Sequence, residues 1–379
     1  MRWLLTDGQV HAAHAGEASK RGPLPRACAR ERRGLEVKQL LNTLYVTTQG
    51  AYLAREGETV LVRVEQETAL QIPIHTLGSV VCFGRVSASP PLMGLCAERG
   101  VALSFFTMNG RFLARVQGPV SGNVLLRREQ YRRSEDVNKA ADIARSIVIA
   151  KIANSRTVLL RATREKPERP ACAALEACAL RLSRLVEELQ KQKSLDTVRG
   201  HEGDAARVYF DVFDHLITES KDSFFFHTRS RRPPLDNMNT LLSFLYTLLT
   251  HDVAAALEGV GLDPAVGYLH RDRPGRPSLA LDLVEELRPV IADRLVLSLI
   301  NRRQIKADGF HTTESGAVEM DDATRKEVLV AYQKRKQEEI VHPFLKERIA
   351  FGIVPHAQAM LLARHLRGEL DGYPSFLWR

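Results

Sequence analysis

The apolar residues of this chain change their spacing near Asn123, and that change limits the fold more than any other feature of the sequence. Before it, short apolar runs are separated by turn residues, which is typical of β-strands. After it, alanine-rich and leucine-rich stretches repeat with the period of an α-helix. Because strands and helices are segregated, we predict an α+β protein with a β-strand-rich domain at 37–122 and a larger all-α helical domain at 123–379, rather than a doubly wound sheet.

The strand-rich domain is predicted to contain one helix at 90–99, which proline begins and Gly100 ends. The Asn109-Gly110 pair is a strong hairpin signal, and Gly57 supplies another turn. The predicted strands cover residues 39–47, 51–55, 59–64, 69–74, 80–83, 101–106 and 111–116. The predicted helices of the second domain cover residues 135–163, 170–191, 201–217, 235–258, 279–303, 323–341 and 355–367.

Residues 1–36 fit neither period and are rich in Ala, Gly, Arg and His. The apolar run Trp3–Leu5 is far shorter than the ~7–15 residues of a signal-peptide core. We therefore expect a flexible N-terminal extension at 1–36. Since the strand pattern begins at Lys38, translation could start at Met1 or at Val37, and the intact mass of the native protein would decide between them.

The charge and the cysteines restrict the possible partners. The 379 residues carry a formal net charge of +9, which favours an anionic partner such as nucleic acid or an acidic membrane surface. No apolar stretch approaches the ~18 uninterrupted residues of a membrane span, so we expect a soluble, cytoplasmic protein that does not act in a membrane. The 5 cysteines include no Cys-x-x-Cys pair, which indicates neither a disulfide framework nor a zinc site.

Four residues of the helical domain could carry chemistry. Asp282 and Glu285 are three residues apart on a predicted helix and so share a face. The loop 271–277 could bring His270 back beside them, and Glu202 is a further acidic candidate with small neighbours that allow close helix packing. Carboxylates with one imidazole suit Mg²⁺ or Mn²⁺, whereas a zinc site would show thiolates or more histidines.

The alternative for each of these residues is an ordinary structural role. Most Asp and Glu residues on an amphipathic helix are solvated, and we interpret Glu286 and Arg288 only in that way. Tyr209 lies about two helical turns after Glu202 and could line the site. A core position, packed with Phe210 and Phe213, is the preferred interpretation of Tyr209.

Three ordered motifs resemble the signature of the universal CRISPR-associated adaptation integrase. They are Glu202-Gly-Asp-Ala-Ala-Arg-Val-Tyr-Phe, the stretch from Arg232-Pro-Pro-Leu-Asp236 to Tyr246, and Gly267-Tyr-Leu-His270 followed by Leu279-Ala-Leu-Asp282-Leu-Val-Glu285. The resemblance runs from about Val37 into the C-terminal region. The opening Lys38-Gln-Leu-Leu-Asn-Thr-Leu-Tyr is similar to members that accompany subtype I-C systems.

The resemblance implies that Glu202, His270 and Glu285 bind Mg²⁺ or Mn²⁺ and that Asp282 supports the catalytic site. It implies a DNA endonuclease and integrase that inserts spacers into a CRISPR array by transesterification. It also implies a homodimer that binds double-stranded DNA and a small ferredoxin-like partner, the second CRISPR adaptation protein. Many relatives carry Asp where this chain has Glu285, and the longer side chain is expected to keep coordination while the metal preference could change.

Two basic clusters are candidates for contacts with DNA phosphates, although each could instead be a solvated loop. The first is Arg229, Arg231 and Arg232, and the second, next to His270, includes Arg271 and Arg273. Two other functions stay open at this point. One is a metal-dependent nuclease of DNA repair that only hydrolyses DNA, and the other is a non-catalytic nucleic-acid-binding scaffold.

Overall fold

The computed structural model describes residues 43–108, 110–118 and 123–378, together with the backbone of 4–6 and 9–11. The chain divides into two units, Met1–Pro119 and Val120–Arg379, close to the boundary predicted between 122 and 123. The first unit consists of strands with one long helix, and the second consists mainly of helices. The predicted α+β class is therefore confirmed.

The first unit contains a six-stranded and a four-stranded sheet. Its elements are β1 Leu4–Thr6, β2 Gln9–His11, β3 Thr43–Val46, β4 Tyr52–Glu56, β5 Thr59–Val64, β6 Glu67–Pro73, β7 Ser79–Phe83, β8 Ser87–Ala88, α1 Pro90–Arg99, β9 Ala102–Phe106 and β10 Phe112–Val116. The strand orders are β10-β9-β7-β3-β1-β2 and β6-β5-β4-β8. Strands β3, β7 and β9 are parallel, whereas β4, β5 and β6 form an antiparallel meander.

One apolar core joins the two sheets and α1. Leu44 and Val80 of the larger sheet, Leu53 and Val60 of the smaller sheet, and Leu92 of the helix all belong to it. Strand alternation directs these side chains inward, because successive residues point to opposite faces. The glycines predicted to form a turn and to end the helix do so in the structure. Gly57 turns between β4 and β5 with a φ of 56°, and Gly100 ends α1 with a φ of 64°. Asn109 lies outside the described residues.

Two short strands, β1 and β2, fall within the segment that was predicted to be a flexible extension. Strand β2 pairs antiparallel with β1, and β1 pairs in parallel with β3 at the edge of the larger sheet. The prediction of a flexible extension is therefore wrong at these two places, and the rest of 1–36, residues 1–3, 7–8 and 12–36, lies outside the described residues. Three-residue strands are too short to show an alternating period, which is why the pattern missed them.

The second unit is built around α3, which packs against α4, α5 and α7. Its helices are α2 Val124–Glu135, α3 Val137–Glu165, α4 Cys172–Gln190, α5 Leu195–Asp211, α6 Asn237–Val260, α7 Ser278–Arg288, α8 Arg294–Asn301, α9 Asp322–Gln337 and α10 Val354–Leu366. Helix α3 begins after Asp136, whose carboxylate accepts hydrogen bonds from the N–H groups of Asn138 and Lys139.

The structure differs from the predicted helices in three ways. Helix α2, Val124–Glu135, precedes the first predicted helix, 135–163, and was not predicted. The single helix predicted at 279–303 is divided into α7 and α8 by a π-helical turn, Pro289–Asp293, which begins at a proline that lacks an N–H donor. Two hairpins, β11 Phe310–Thr312 with β12 Val318–Met320 and β13 Glu339–Val341 with β14 Arg348–Ala350, interrupt the domain that was predicted to be all helical. Their strands, too, are only three residues long.

Helix α6 is, within the described part of the chain, the one helix that is long and apolar enough to cross a bilayer. Its Leu241, Leu242, Leu245 and Leu249 are buried within the unit. The helix packs against α7 and α10. These contacts are those of a core helix in a helical domain, so its composition reflects burial by protein.

The segment after α10 is held against α3 and α7 by buried polar contacts. Asn154 of α3 donates from Nδ2 to the carbonyl oxygens of Glu286 (2.7 Å) and Phe376 (2.8 Å), and its Oδ1 accepts from the Trp378 N–H (2.8 Å). Glu286 accepts from the Tyr373 hydroxyl (2.5 Å) and from the Phe376 N–H (2.8 Å). Burial raises the pKa of Glu286 to about 7.

We expect the Asn154→Ala variant to be less stable than the wild type by about 2–4 kcal/mol, because it removes three hydrogen bonds that attach the C-terminal segment and α7 to α3. Chemical denaturation would measure the change in the free energy of unfolding. Asn138→Ala, an exposed position on the same helix, is the control and should change stability little. A loss at Asn154 no larger than at Asn138 would contradict this account.

We also expect stability to depend on pH through His342, which is fully buried between β13 and β14. Its Nε2 lies 3.0 Å from Oε1 of Gln358 and must carry the proton, while Nδ1 accepts from the N–H groups of Phe344 and Leu345. Burial lowers the pKa of His342 below its usual value of 6.5. Stability from the neutral ring is therefore complete above pH 6.5 and is lost as the pH falls through the folded pKa.

Denaturation of the wild type and His342→Gln between pH 5 and 8 would check this. The stability advantage of the wild type should shrink as the pH falls, because only the wild type must protonate a buried imidazole. The exposed His75→Gln should differ from the wild type by the same amount at every pH. A constant advantage over His342→Gln would refute the role of the histidine.

Candidate active site

Asp282 holds the loop that carries His270 against α7. It is completely buried on α7, and its Oδ2 accepts from the N–H groups of Tyr268 (2.6 Å) and Leu269 (3.0 Å). Its Oδ1 accepts from the His270 N–H (2.9 Å) and lies 2.7 Å from Nδ1 of the His270 ring. The carboxylate therefore holds both the main chain and the side chain of the loop that precedes α7.

This arrangement determines which nitrogen of His270 is available. With Nδ1 donating to Asp282, Nε2 carries the lone pair and can bind a metal ion or accept a proton. The close approach of the loop depends on Gly267, where a Cβ would lie 2.8 Å from Oδ2 of Asp282 and 2.8 Å from the carbonyl carbon of Ser278. Any side chain at position 267 would push the loop away from α7.

Glu202 of α5 and Glu285 of α7 meet at one buried lysine. The Nζ atom of Lys151, on α3, donates to Oε1 of Glu202 and lies 2.7 Å from Oε2 of Glu285. The side chain of Lys151 is 4% exposed, that of Glu285 is 9% exposed and that of Glu202 is 27% exposed. Both carboxylates thus contact the same ammonium group.

Arg288 is the second positive partner of Glu285. Its Nη1 lies 3.0 Å from Oε1 of Glu285. Burial alone would raise the pKa of Glu285, but Arg288 and Lys151, with a smaller contribution from His270, hold that pKa below its usual range. Glu285 is therefore ionised while buried, which is the state in which a carboxylate binds a cation.

Behind Arg288 lies a buried cluster centred on Asp293. Oδ1 of Asp293 accepts from the Tyr246 hydroxyl (2.5 Å) and Oδ2 accepts from the Tyr209 hydroxyl (3.2 Å). Burial raises the pKa of Asp293 to about 6. The guanidinium groups of Arg288 and Arg229 each lie 5.4 Å from the ring centroid of Tyr246. The Tyr246 ring is thus a second contact of the Arg288 guanidinium besides Glu285.

The structure pairs His270 with Asp282 and joins Glu202 to Glu285 through Lys151, and it corrects three neighbouring interpretations. Glu286 and Arg288 were interpreted as solvated, but Glu286 is buried with partners from the C-terminal segment, and the Arg288 side chain is only 11% exposed and pairs with Glu285 three residues before it. Gly203 was expected to help helices approach, yet open space surrounds it, and the buried small residue is Ala205. Tyr209 packs edge-on against Phe210 and Phe213, as the preferred interpretation predicted.

Lys151 and Asp293 were missed by the reasoning from sequence. A signal for Lys151 existed, because it is the one charged residue within the apolar run from Ile147 to Ile152 of a predicted core helix. A charge at such a position requires a buried counter-charge. Asp293 stands in the apolar stretch after Pro289 and gave a similar signal.

The donor chemistry fits a divalent ion. Two carboxylates and an imidazole nitrogen suit Mg²⁺ or Mn²⁺, and the Lys151 ammonium is a cation that both carboxylates already bind. In the described residues, however, no three His, Cys, Asp or Glu side chains lie close enough to hold an ion as they stand. Binding would therefore require Glu202, Glu285 and His270 to move closer together.

The candidate DNA-contacting arginines differ in their surroundings. Arg229 donates to Oδ1 of Asn239 (2.7 Å) and to Oγ of Ser243 (3.0 Å), so its guanidinium is bound within the protein. Arg231, Arg232, Arg271 and Arg273 are exposed. Arg271 lies 3.6 Å from Asp196, and both side chains are largely solvated. Contact with DNA by the exposed arginines stays a prediction.

Known proteins share both the sequence and the fold. Residues 44–334 match the family described as CRISPR associated protein Cas1. CRISPR-associated endonuclease Cas1 1 of Chlorobaculum tepidum is 54% identical over 343 residues, which cover 90% of this chain and 100% of that protein.

Two solved structures share the fold at 22% sequence identity. A casposase bound to integration product has a TM-score of 0.75 and covers 89% of this chain and 94% of its own. A Cas6-RT-Cas1–Cas2 complex has a TM-score of 0.74 and covers 94% of this chain and 38% of its own. With a family match over most of its length and a relative of more than half identical sequence, the chain belongs to the CRISPR-associated Cas1 family of endonucleases.

Proposed function

We propose that this protein is a metal-dependent DNA endonuclease and integrase that inserts new spacers into a CRISPR array by transesterification. The observation that carries the proposal is the convergence of Glu202 and Glu285 on one buried lysine, with Glu285 on the same helix as Asp282, which fixes the orientation of His270. Membership of the Cas1 family supports the nuclease class. The casposase, whose structure holds an integration product, supports the choice of strand joining over hydrolysis alone.

Each residue of the proposed site would have a separate role. Glu202, Glu285 and Nε2 of His270 would hold Mg²⁺ or Mn²⁺, which when bound orients a 3′-hydroxyl and stabilises charge on the attacked phosphate. Asp282 keeps the His270 ring in one tautomer, and Arg288 fixes the carboxylate plane of Glu285. Nε2 of His270 could alternatively accept the proton of the attacking hydroxyl. With water as the nucleophile, the same groups would cut DNA.

The partners follow from the same proposal. The exposed Arg231, Arg232, Arg271 and Arg273 would contact the phosphates of double-stranded DNA, with affinity that falls steeply as salt rises. The protein would work in the cytoplasm as a homodimer together with a small ferredoxin-like second adaptation protein. The shared fold with a chain of a Cas6-RT-Cas1–Cas2 complex supports such a partner. The start of the strand-rich unit, 38–47, supports a subtype I-C system.

A joining assay tests the function directly. The full chain is incubated with a short duplex bearing 3′-hydroxyl ends, a supercoiled plasmid that carries a CRISPR array, and Mg²⁺ or Mn²⁺. An integrase gives covalently joined duplex and plasmid, whereas a repair nuclease gives only cuts. Glu202→Gln and His270→Ala should lose joining by about 100-fold or more while DNA binding is retained, because each removes a metal ligand.

Asp204→Asn is the matched control for Glu202→Gln, since it changes an exposed carboxylate on the same helix. It should join DNA at the wild-type rate. If Glu202→Gln and His270→Ala also join DNA at that rate, the groups are not catalytic and the proposal fails. Cuts without any joined product would leave only the hydrolytic function.

We expect Asp282→Asn to lower joining by about 10- to 100-fold and to weaken Mn²⁺ binding. An amide offers only one accepting oxygen, so it cannot accept from three N–H groups and the His270 ring together. Isothermal titration with Mn²⁺ and the joining assay would measure the two effects, and circular dichroism would confirm folding. A folded variant with unchanged Mn²⁺ affinity would show that Asp282 does not position the ligand.

A further inference from the structure

We propose that Lys151 occupies the cation position of the active site in the metal-free protein, and that a divalent ion binds by displacing its ammonium group. The inference rests on the proposed function, because it assigns Glu202 and Glu285 as metal ligands. Its basis is that Nζ of Lys151 bonds to Oε1 of Glu202 and lies 2.7 Å from Oε2 of Glu285. One ammonium therefore bridges carboxylates from two different helices.

The burial of Lys151 shows that these two contacts are what keep its charge within the protein. Its side chain is 4% exposed and sits in the apolar part of α3. Removing an ammonium from water is costly unless it is paired and hydrogen-bonded. Glu202 and Glu285 are the negative partners of Lys151, and Lys151 is a positive partner of both carboxylates. Without a metal ion, each partner thus stabilises the other in a buried position.

The oxygen atoms of Glu285 show why ammonium and metal compete. Oε1 is 3.0 Å from Nη1 of Arg288, and Oε2 is 2.7 Å from Nζ of Lys151, so both oxygens already contact a positive group. A divalent ion sits only about 2.0–2.2 Å from a carboxylate oxygen. An ion on Oε2 would place two cations side by side in a buried site, where their repulsion is weakly screened.

The surroundings favour movement of the lysine over movement of the arginine. Arg288 is held by Glu285 and by the Tyr246 ring. Lys151 borders a small cavity that Ser155, Arg288 and Asp293 also line, so its flexible side chain has a hydroxyl and a carboxylate to turn towards, with the Asp293 carboxylate offsetting the charge of Arg288. Displacement would also free Glu202 and Glu285 to draw towards His270, which the ligands require before they can hold an ion together.

The test compares metal binding by the full-length wild type with that by Lys151→Met, after treatment with a chelator. Lys151→Met should melt at a lower temperature without metal, because two carboxylates lose their cation. It should bind Mn²⁺ at least about tenfold more tightly by isothermal titration, since no ammonium competes. Mn²⁺ should therefore raise the melting temperature of this variant more than that of the wild type. Glu202→Gln in the same background should abolish the gain.

Lys336→Met is the matched control, because Lys336 is another buried lysine of this unit and pairs with Asp252 at 2.8 Å. It should lower the melting temperature without increasing the affinity for Mn²⁺. Equal or weaker Mn²⁺ binding by folded Lys151→Met would overturn the inference while leaving the proposed function intact. If neither the wild type nor the variant binds Mn²⁺, the proposed function fails as well.

Crystals of the wild type grown with and without Mn²⁺ keep the inference testable if Lys151→Met does not fold. The expected result is an anomalous Mn²⁺ peak between Glu202 and Glu285, with Nζ of Lys151 no longer within hydrogen-bond distance of Glu285. A bound ion with Nζ still bridging both carboxylates would show that the lysine and the metal act together, and displacement would be disproved.

Discussion

The second unit depends on the hydrogen-bond and ion-pair partners of three carboxylates that are buried on α7. Asp282 is satisfied by N–H groups of the preceding loop and by His270, Glu285 by Lys151 and Arg288, and Glu286 by Tyr373 and the main chain of Phe376. A buried carboxylate without such partners would strongly destabilise the fold. The packing of α7 against α3, the loop and the C-terminal segment is therefore set by electrostatics as much as by apolar contacts.

The same constraint explains the role of the motif around 232–246. Asp236 caps α6 by accepting from the Asn239 N–H, and Asn239 with Ser243 binds the guanidinium of Arg229. The guanidinium groups of Arg229 and Arg288 both lie over the Tyr246 ring, and the Tyr246 hydroxyl donates to Asp293. The motif thus builds the support on which Arg288, and through it Glu285, depends. In the described structure, the polar residues of this motif bind Arg229 and Asp293.

The sequence was sufficient for the architecture and for half of the site. The change of period located the strand-rich and helical units, and helical spacing placed Asp282 and Glu285 on one helix with His270 returned to them by a loop. It failed for Glu286, Arg288 and Lys151 because periodicity measures apolar residues, whereas the burial of a charge depends on partners elsewhere in the chain. Lys151 and Glu202 are 51 residues apart, and no local pattern links them. The short strands failed for another reason, since three residues cannot display a period.

The attachment of the C-terminal segment to Glu286 has a consequence for biosynthesis. Phe376, which donates to Glu286, follows it by 90 residues. At ~5–20 residues per second, a ribosome would expose α7 for roughly 5–20 s before those partners emerge. During that interval Glu286 lacks the Tyr373 hydroxyl and the Phe376 N–H, so its burial is not yet compensated by these hydrogen bonds. Glu285, the neighbouring carboxylate on α7, has its partners Lys151 and Arg288 in the part of the chain already synthesised, so the late segment completes the burial of Glu286 rather than that of Glu285.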